Sequence, residues 1–142
     1  MTDNAAVALG TGPLGVLEYD QAVGTYCATV TADGYELWVC VEARTEAEAL
    51  PMVPLARRAL ADFVRIADAA TLHLWKWGSR GDEPEEDRTR FWRQMVPSSL
   101  VLDPDGGFAV HFEDCGDFCM DGYWPAVHFD DDFTPVDVSI EA

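Results

Sequence analysis

Between Leu55 and Trp77 the apolar residues Leu55, Ala59, Phe63, Ile66, Ala70, Leu74 and Trp77 recur at spacings of 4, 4, 3, 4, 4 and 3. A stripe on that period is the buried face of a helical segment, and it needs a surface to cover. The flanking segments supply one, because they follow a two-residue period. Tyr35, Leu37, Val39, Val41 and Ala43 share one face of a strand, while Glu36, Trp38, Cys40 and Glu42 share the other. Further along, Phe108, Val110 and Phe112 alternate with Ala109, His111 and Glu113. A helical middle between strand-rich ends specifies an α+β fold, with one mostly antiparallel sheet built from both chain ends and the central helices packed on one face.

Local signals mark the element boundaries. Asp33-Gly34 lies between two strand-like runs at 25–30 and 35–43, the pattern of a type I′ hairpin. A two-residue turn pairs Ala32 with Tyr35 and puts Cys27 opposite Cys40 in a close, non-hydrogen-bonded pair. Adjacent reduced thiols are expected there, with a disulfide only under oxidising conditions. Thr45-x-x-Glu48 reads as a capping box. Pro51 and Pro54 suit a first turn, so a short turn at 46–50 precedes a helix from Pro51, with a break near 62–66 and an end at Gly78. Residues 79–87 form a polar loop and 87–95 a short helix. Asp103-Pro104-Asp105-Gly106 is a second hairpin turn, between strands at 99–102 and 107–113. Other strands are expected at 16–19, 124–129 and 136–140, and Trp77 and Trp92 are assigned to the core.

Residues 1–13 read as a mobile leader and 14–142 as a single domain. The N-terminus lacks the basic and apolar regions of a signal peptide, and no apolar run approaches the roughly 20 residues of a membrane span. A cytoplasmic protein with reduced cysteines is the expectation. Net charge is −17, which disfavours nucleic acid and anionic membranes as partners. Its distribution says more. Residues 1–43 carry six acids and no Lys or Arg, residues 44–93 carry nine of each sign, and residues 94–142 carry eleven acids and no Lys or Arg.

The stretch HFEDCGDFCMDGYWPAVHFDDDF, 111–133, concentrates the reactive residues. His111, Cys115, Cys119 and His128 are candidate zinc ligands, but no second close pair follows Cys115-x3-Cys119, as structural zinc sites require. Asp130, Asp131 and Asp132 are consecutive, whereas calcium loops alternate their ligands. The sequence holds no Gly-x-Ser-x-Gly elbow, phosphate loop or His-Glu-x-x-His motif. No metal, cofactor or catalytic residue is therefore assigned.

The segments LGVLEYD (14–20), ARRALADF (56–63), LHLWKW (72–77) and LVLDPDGGFAVHFED (100–114), followed by GDF (116–118), occur in an order that resembles the bacterial domain of unknown function 2262 family. Tyr123 stands where that family pattern places a histidine. The resemblance implies an α+β fold and a bacterial cytoplasmic setting, and it extends to relatives among immunity proteins of toxin systems. It carries over no catalytic residue.

The expected function is a non-enzymatic protein-binding module for a basic partner, immunity-like in kind. Docking is expected through Asp130, Asp131, Asp132, Glu113, Asp114, Asp117 and Asp121, with Trp38 or Trp124 as an apolar anchor. The alternative is a metal-binding protein or enzyme built on His111, Cys115, Cys119 and His128.

Overall fold

A computed structural model describes residues 7–8 (as backbone), 16–113 and 122–141 of the chain. The architecture is α+β. Strands β1 (Val7–Ala8), β2 (Val16–Asp20), β3 (Thr25–Ala32) and β4 (Tyr35–Val41) precede the helices. Strands β5 (Pro97–Leu102), β6 (Phe108–Phe112), β7 (Trp124–Phe129) and β8 (Pro135–Glu141) follow them. They lie side by side in sequence order, so two antiparallel meanders meet at one parallel pair, β4 with β5. The sheet is thus mostly antiparallel, and its strands are spread along the chain on both sides of the helical segment, from Val7 to Glu141, rather than confined to its two ends. Of the expected leader, Val7 and Ala8 pair with Leu17 and Val16, and the rest lies outside the described residues.

The crossover between β4 and β5 carries α1 (Glu46–Ala49), a 3₁₀ turn (Leu50–Met52), α2 (Val53–Ala61), α3 (Phe63–Gly78) and α4 (Glu85–Gln94). Parallel neighbours need such a long connection, because the chain leaves β4 at one end of the strands and must enter β5 at the other. Thr45 caps α1 by accepting from Glu48 N at 3.2 Å. The expected break falls at Asp62, whose backbone (φ −127, ψ 33) leaves the helical region between α2 and α3. The first turn of α3 is partnered from the hairpin, as Val64 N donates to Asp33 Oδ2 at 3.4 Å.

The hairpin has the expected register. Ala32 pairs with Tyr35 and Cys27 with Cys40, and Asp33 and Gly34 take φ of 52° and 84°, as a type I′ turn demands. One face of the sheet is the core face. Leu17, Tyr26, Val30, Leu37, Val39, Val41, Leu100, Leu102, Phe108, Val110, Phe112, Val127 and Phe129 are buried there with Ala59, Phe63, Ile66, Ala70 and Leu74 of the helical stripe. Trp92 packs against this core as expected. Trp77 does not, being 59% exposed. The expectation for it is corrected by geometry: α3 packs over β7 and the edge strand β8, and its last turn has no further strand to cover.

Candidate functional site

The opposite face of the sheet is the candidate site. Alternation fixes its residues: Glu18 and Asp20 on β2, Cys27 and Thr29 on β3, Glu36, Trp38 and Cys40 on β4, Ser99 and Val101 on β5, Ala109 and His111 on β6, Trp124, Ala126 and His128 on β7, and Asp137, Ser139 and Glu141 on β8. Among the described residues no helix covers this face, since the buried apolar residues of all four helices belong to the core cluster on the other side. Cys27, Cys40, Ala109 and Ala126 are buried yet fall outside that cluster. They are small, and their taller neighbours on the same face shield them.

Trp38 stands in the middle of this surface, 38% exposed. It forms a ridge between two grooves. One, of about 470 Å³, runs toward β2 and is lined by Glu18, Asp20, Cys27 and Thr29. The other, of about 420 Å³, runs toward β7 and is lined by Ser99, His111, Glu113 and Trp124. Three expected docking residues, Trp38, Trp124 and Glu113, therefore meet around one groove. The register explains this, because Trp38, Ser99, His111 and Ala126 form one row across four strands.

A polar network fixes the groove wall. Trp124 Nε1 donates to His111 Nδ1 at 2.9 Å, which requires an unprotonated Nδ1. His111 titrates below the ordinary histidine range, chiefly because burial disfavours the imidazolium; the carboxylate of Glu141 opposes the shift and His128 reinforces it. Ser139 Oγ donates to Glu141 Oε2 at 2.6 Å, and His128 Nε2 lies 2.8 Å from the same hydroxyl. The hydroxyl has one proton, which it gives to Glu141, so His128 donates to Ser139. In this arrangement His128 is not a base for Ser139, and the chain of donors orients three side chains along the rim.

The charge is one-signed. No Lys or Arg occurs in any strand, and the strand acids Glu18, Asp20, Glu36, Asp137 and Glu141 all point to the open face. Glu42, just past β4, titrates above the ordinary glutamate range through burial and repulsion from Asp103 and Asp105. Ion pairs Arg65–Asp62 and Arg80–Asp82 belong to the helical middle.

Asp130, Asp131 and Asp132 are elsewhere. They form the β7–β8 turn, at the far end of β7 from Trp124, about 20 Å along the strand. The turn leans to the helical side, where Arg58 bonds Asp131 O at 3.4 Å and its guanidinium lies 5.2 Å from the Phe133 ring centroid. Their carboxylate oxygens lie within 4.8 Å of one another, but Asp130 Oδ1 already accepts from the backbone N–H of Asp132 and Thr134. That is the local bonding of an aspartate turn. Asp114, Asp117, Asp121, Cys115 and Cys119 lie outside the described residues. His111 and His128 occupy neighbouring strands of the open face, with one ring nitrogen of each already engaged.

Sequence reading missed Ser99, Glu18 and Asp20 as groove residues. Their face is legible by parity, but their nearness to Trp38 depends on the parallel β4–β5 pair and the β2–β3 register. It also missed an apolar groove of about 200 Å³ on the helical side, lined by Trp77, Phe91, Met95, Pro125 and Ile140. No protein-family model, curated protein or solved structure matches the chain. Among the described residues, no helix is long and apolar enough to cross a membrane.

Proposed function

We propose that the chain is a non-enzymatic protein-binding module whose open sheet face captures a cationic protein, as an immunity protein captures a toxin. The observation that carries this reading is the exposed Trp38 ridge on a face whose charged strand residues are all acidic. An aromatic anchor flanked by grooves supplies desolvated contact area, and a one-signed field speeds encounter with a partner of opposite charge. The acids of the turns at 103–105 and 130–132 extend that field beyond the contact surface. The resemblance carried by residues 14–118 implies a bacterial cytoplasmic setting with relatives among immunity proteins, and that compartment suits the free thiols Cys27 and Cys40.

Affinity purification with the full chain as bait tests the proposal. The recovered partner should be cationic, its association rate should fall steeply with added salt, and Trp38→Ala should weaken the complex by at least about tenfold. An acidic partner, or binding indifferent to salt and to Trp38, refutes it.

A further inference from the structure

Cys27 and Cys40 face each other across the β3–β4 ladder with Sγ atoms 3.1 Å apart. Counted from the Asp33-Gly34 turn, theirs is a non-hydrogen-bonded position, where opposed Cα atoms approach to about 4.5 Å. That is near the lower limit of separation that a disulfide spans. Both side chains lie on the open face, outside the core cluster. Cys27 lines the groove beside Trp38, whereas Cys40 is part of neither groove wall. Thr25 Oγ1 lies 3.1 Å from Cys27 Sγ and completes a small polar cluster.

We propose that Cys27 and Cys40 are a reversible oxidation site, closed to a cross-strand disulfide by a peroxide that enters through the groove beside Trp38. Cys27 is the sulfur that meets the oxidant. Its thiolate attacks one peroxide oxygen and the O–O bond breaks, leaving a sulfenic acid on Cys27 and one water once the departing hydroxide takes a proton. Cys40 sulfur then attacks the sulfenic sulfur. The S–S bond forms as the S–O bond breaks, the Cys40 proton leaves with the hydroxide, and a second water is released. Two thiols are oxidised by two electrons and one peroxide is reduced to two waters. Cys40 is disfavoured for the first role, because burial, and then its hydrogen bond with Cys27, hold its proton well above the ordinary thiol range, and what fits it for the second is its place 3.1 Å from Cys27 Sγ. The sulfurs need to approach by only about 1 Å. Thiol reductants reopen such a bridge by exchange through a mixed disulfide. The inference stands apart from the docking proposal, since it needs only the thiol pair and the groove.

The test uses the full chain with Cys115→Ser and Cys119→Ser, which leaves Cys27 and Cys40 as its thiols. Folded protein is exposed to hydrogen peroxide, alkylated, digested and mapped by mass spectrometry, with total tryptophan fluorescence followed in parallel. The expected result is loss of both free thiols per chain, a linked peptide pair containing Cys27 and Cys40, quenched emission, and full recovery with dithiothreitol. Adding Cys40→Ser should halt the reaction at a Cys27 sulfenic acid, trapped by dimedone, while Cys27→Ser should leave Cys40 unoxidised over the same interval. Two free thiols after peroxide, a linkage only between chains, or over-oxidation of Cys27 with no internal bridge would overturn the proposal. Circular dichroism of each variant confirms folding, and alanine at the same position replaces any serine variant that does not fold.

Discussion

Two aromatic side chains separate the two faces of the sheet by their energetics. Phe108 is 2% exposed, stacks on Phe129 at 5.0 Å between ring centroids and meets Phe133 edge-on at 5.7 Å. Truncation to alanine removes that packing and leaves a cavity, at a cost of about 4 kcal/mol. Trp38 is larger, but its pairing on the open face consists of Thr29 on one side and Ser99 on the other. Cross-strand contacts of this kind are worth roughly 0.2–1 kcal/mol each, so Trp38→Ala should cost about 1 kcal/mol. With a urea slope of about 2 kcal/mol per molar, Phe108→Ala should lower the unfolding midpoint by about 2 M and Trp38→Ala by about 0.5 M. Equilibrium urea titration followed by far-UV circular dichroism measures both. Equal shifts would refute the assignment of Trp38 to an open face, because they would make it a core residue held by as much packing as Phe108.

Three further outcomes follow from named contacts. A Cβ at Gly107 would collide with the backbone carbonyl of Phe129, so Gly107→Ala should destabilise by about 1–3 kcal/mol, whereas a midpoint unchanged in urea would contradict the close approach of β6 to β7. Because His111 titrates below the ordinary histidine range when folded, the unfolded chain takes up the proton first as pH falls. Stability should drop as pH falls through the ordinary histidine range and level off once folded His111 is also protonated. His111→Gln should remove that share of the loss, and the Trp124 indole N–H resonance should shift over the range in which the folded ring titrates; an indole signal that ignores the ring would contradict the hydrogen bond. Neutralising Asp130, Asp131 and Asp132 together to asparagine should slow association with a cationic partner, most at low salt, and leave dissociation nearly unchanged, because the turn is remote from the Trp124 groove. A faster dissociation instead would place the turn inside the contact.

What the sequence revealed was local. The Asp33-Gly34 turn sets its own register, so the Cys27–Cys40 pair could be counted out from it. The stripe from Leu55 to Leu74 reports which way the helices face, and the break at Asp62 was legible within it. Trp77 shows the limit: periodicity gives a direction but not the extent of the surface beneath, and α3 runs to the sheet edge. Parity put Trp38 on a face with Glu36, yet its meeting with Ser99, His111 and Trp124 depends on a parallel pairing between strands some sixty residues apart, which no local signal records. The aspartates at 130–132 and the groove at Trp124 are close in sequence and far apart in space for the opposite reason, because an extended strand separates them.

Docking of a cationic protein on the open face, as proposed, can be read at single residues. A photo-crosslinking residue placed at Ser99, in the row between Trp38 and His111, tests it most directly when compared with the same residue at exposed Arg65 on α3. In lysate of cells that make the full chain, a crosslinked product with a cationic protein should form from position 99, diminish when salt is added before illumination, and be absent from position 65. Crosslinks from position 65 but not 99, or capture of an acidic protein at position 99, would contradict it.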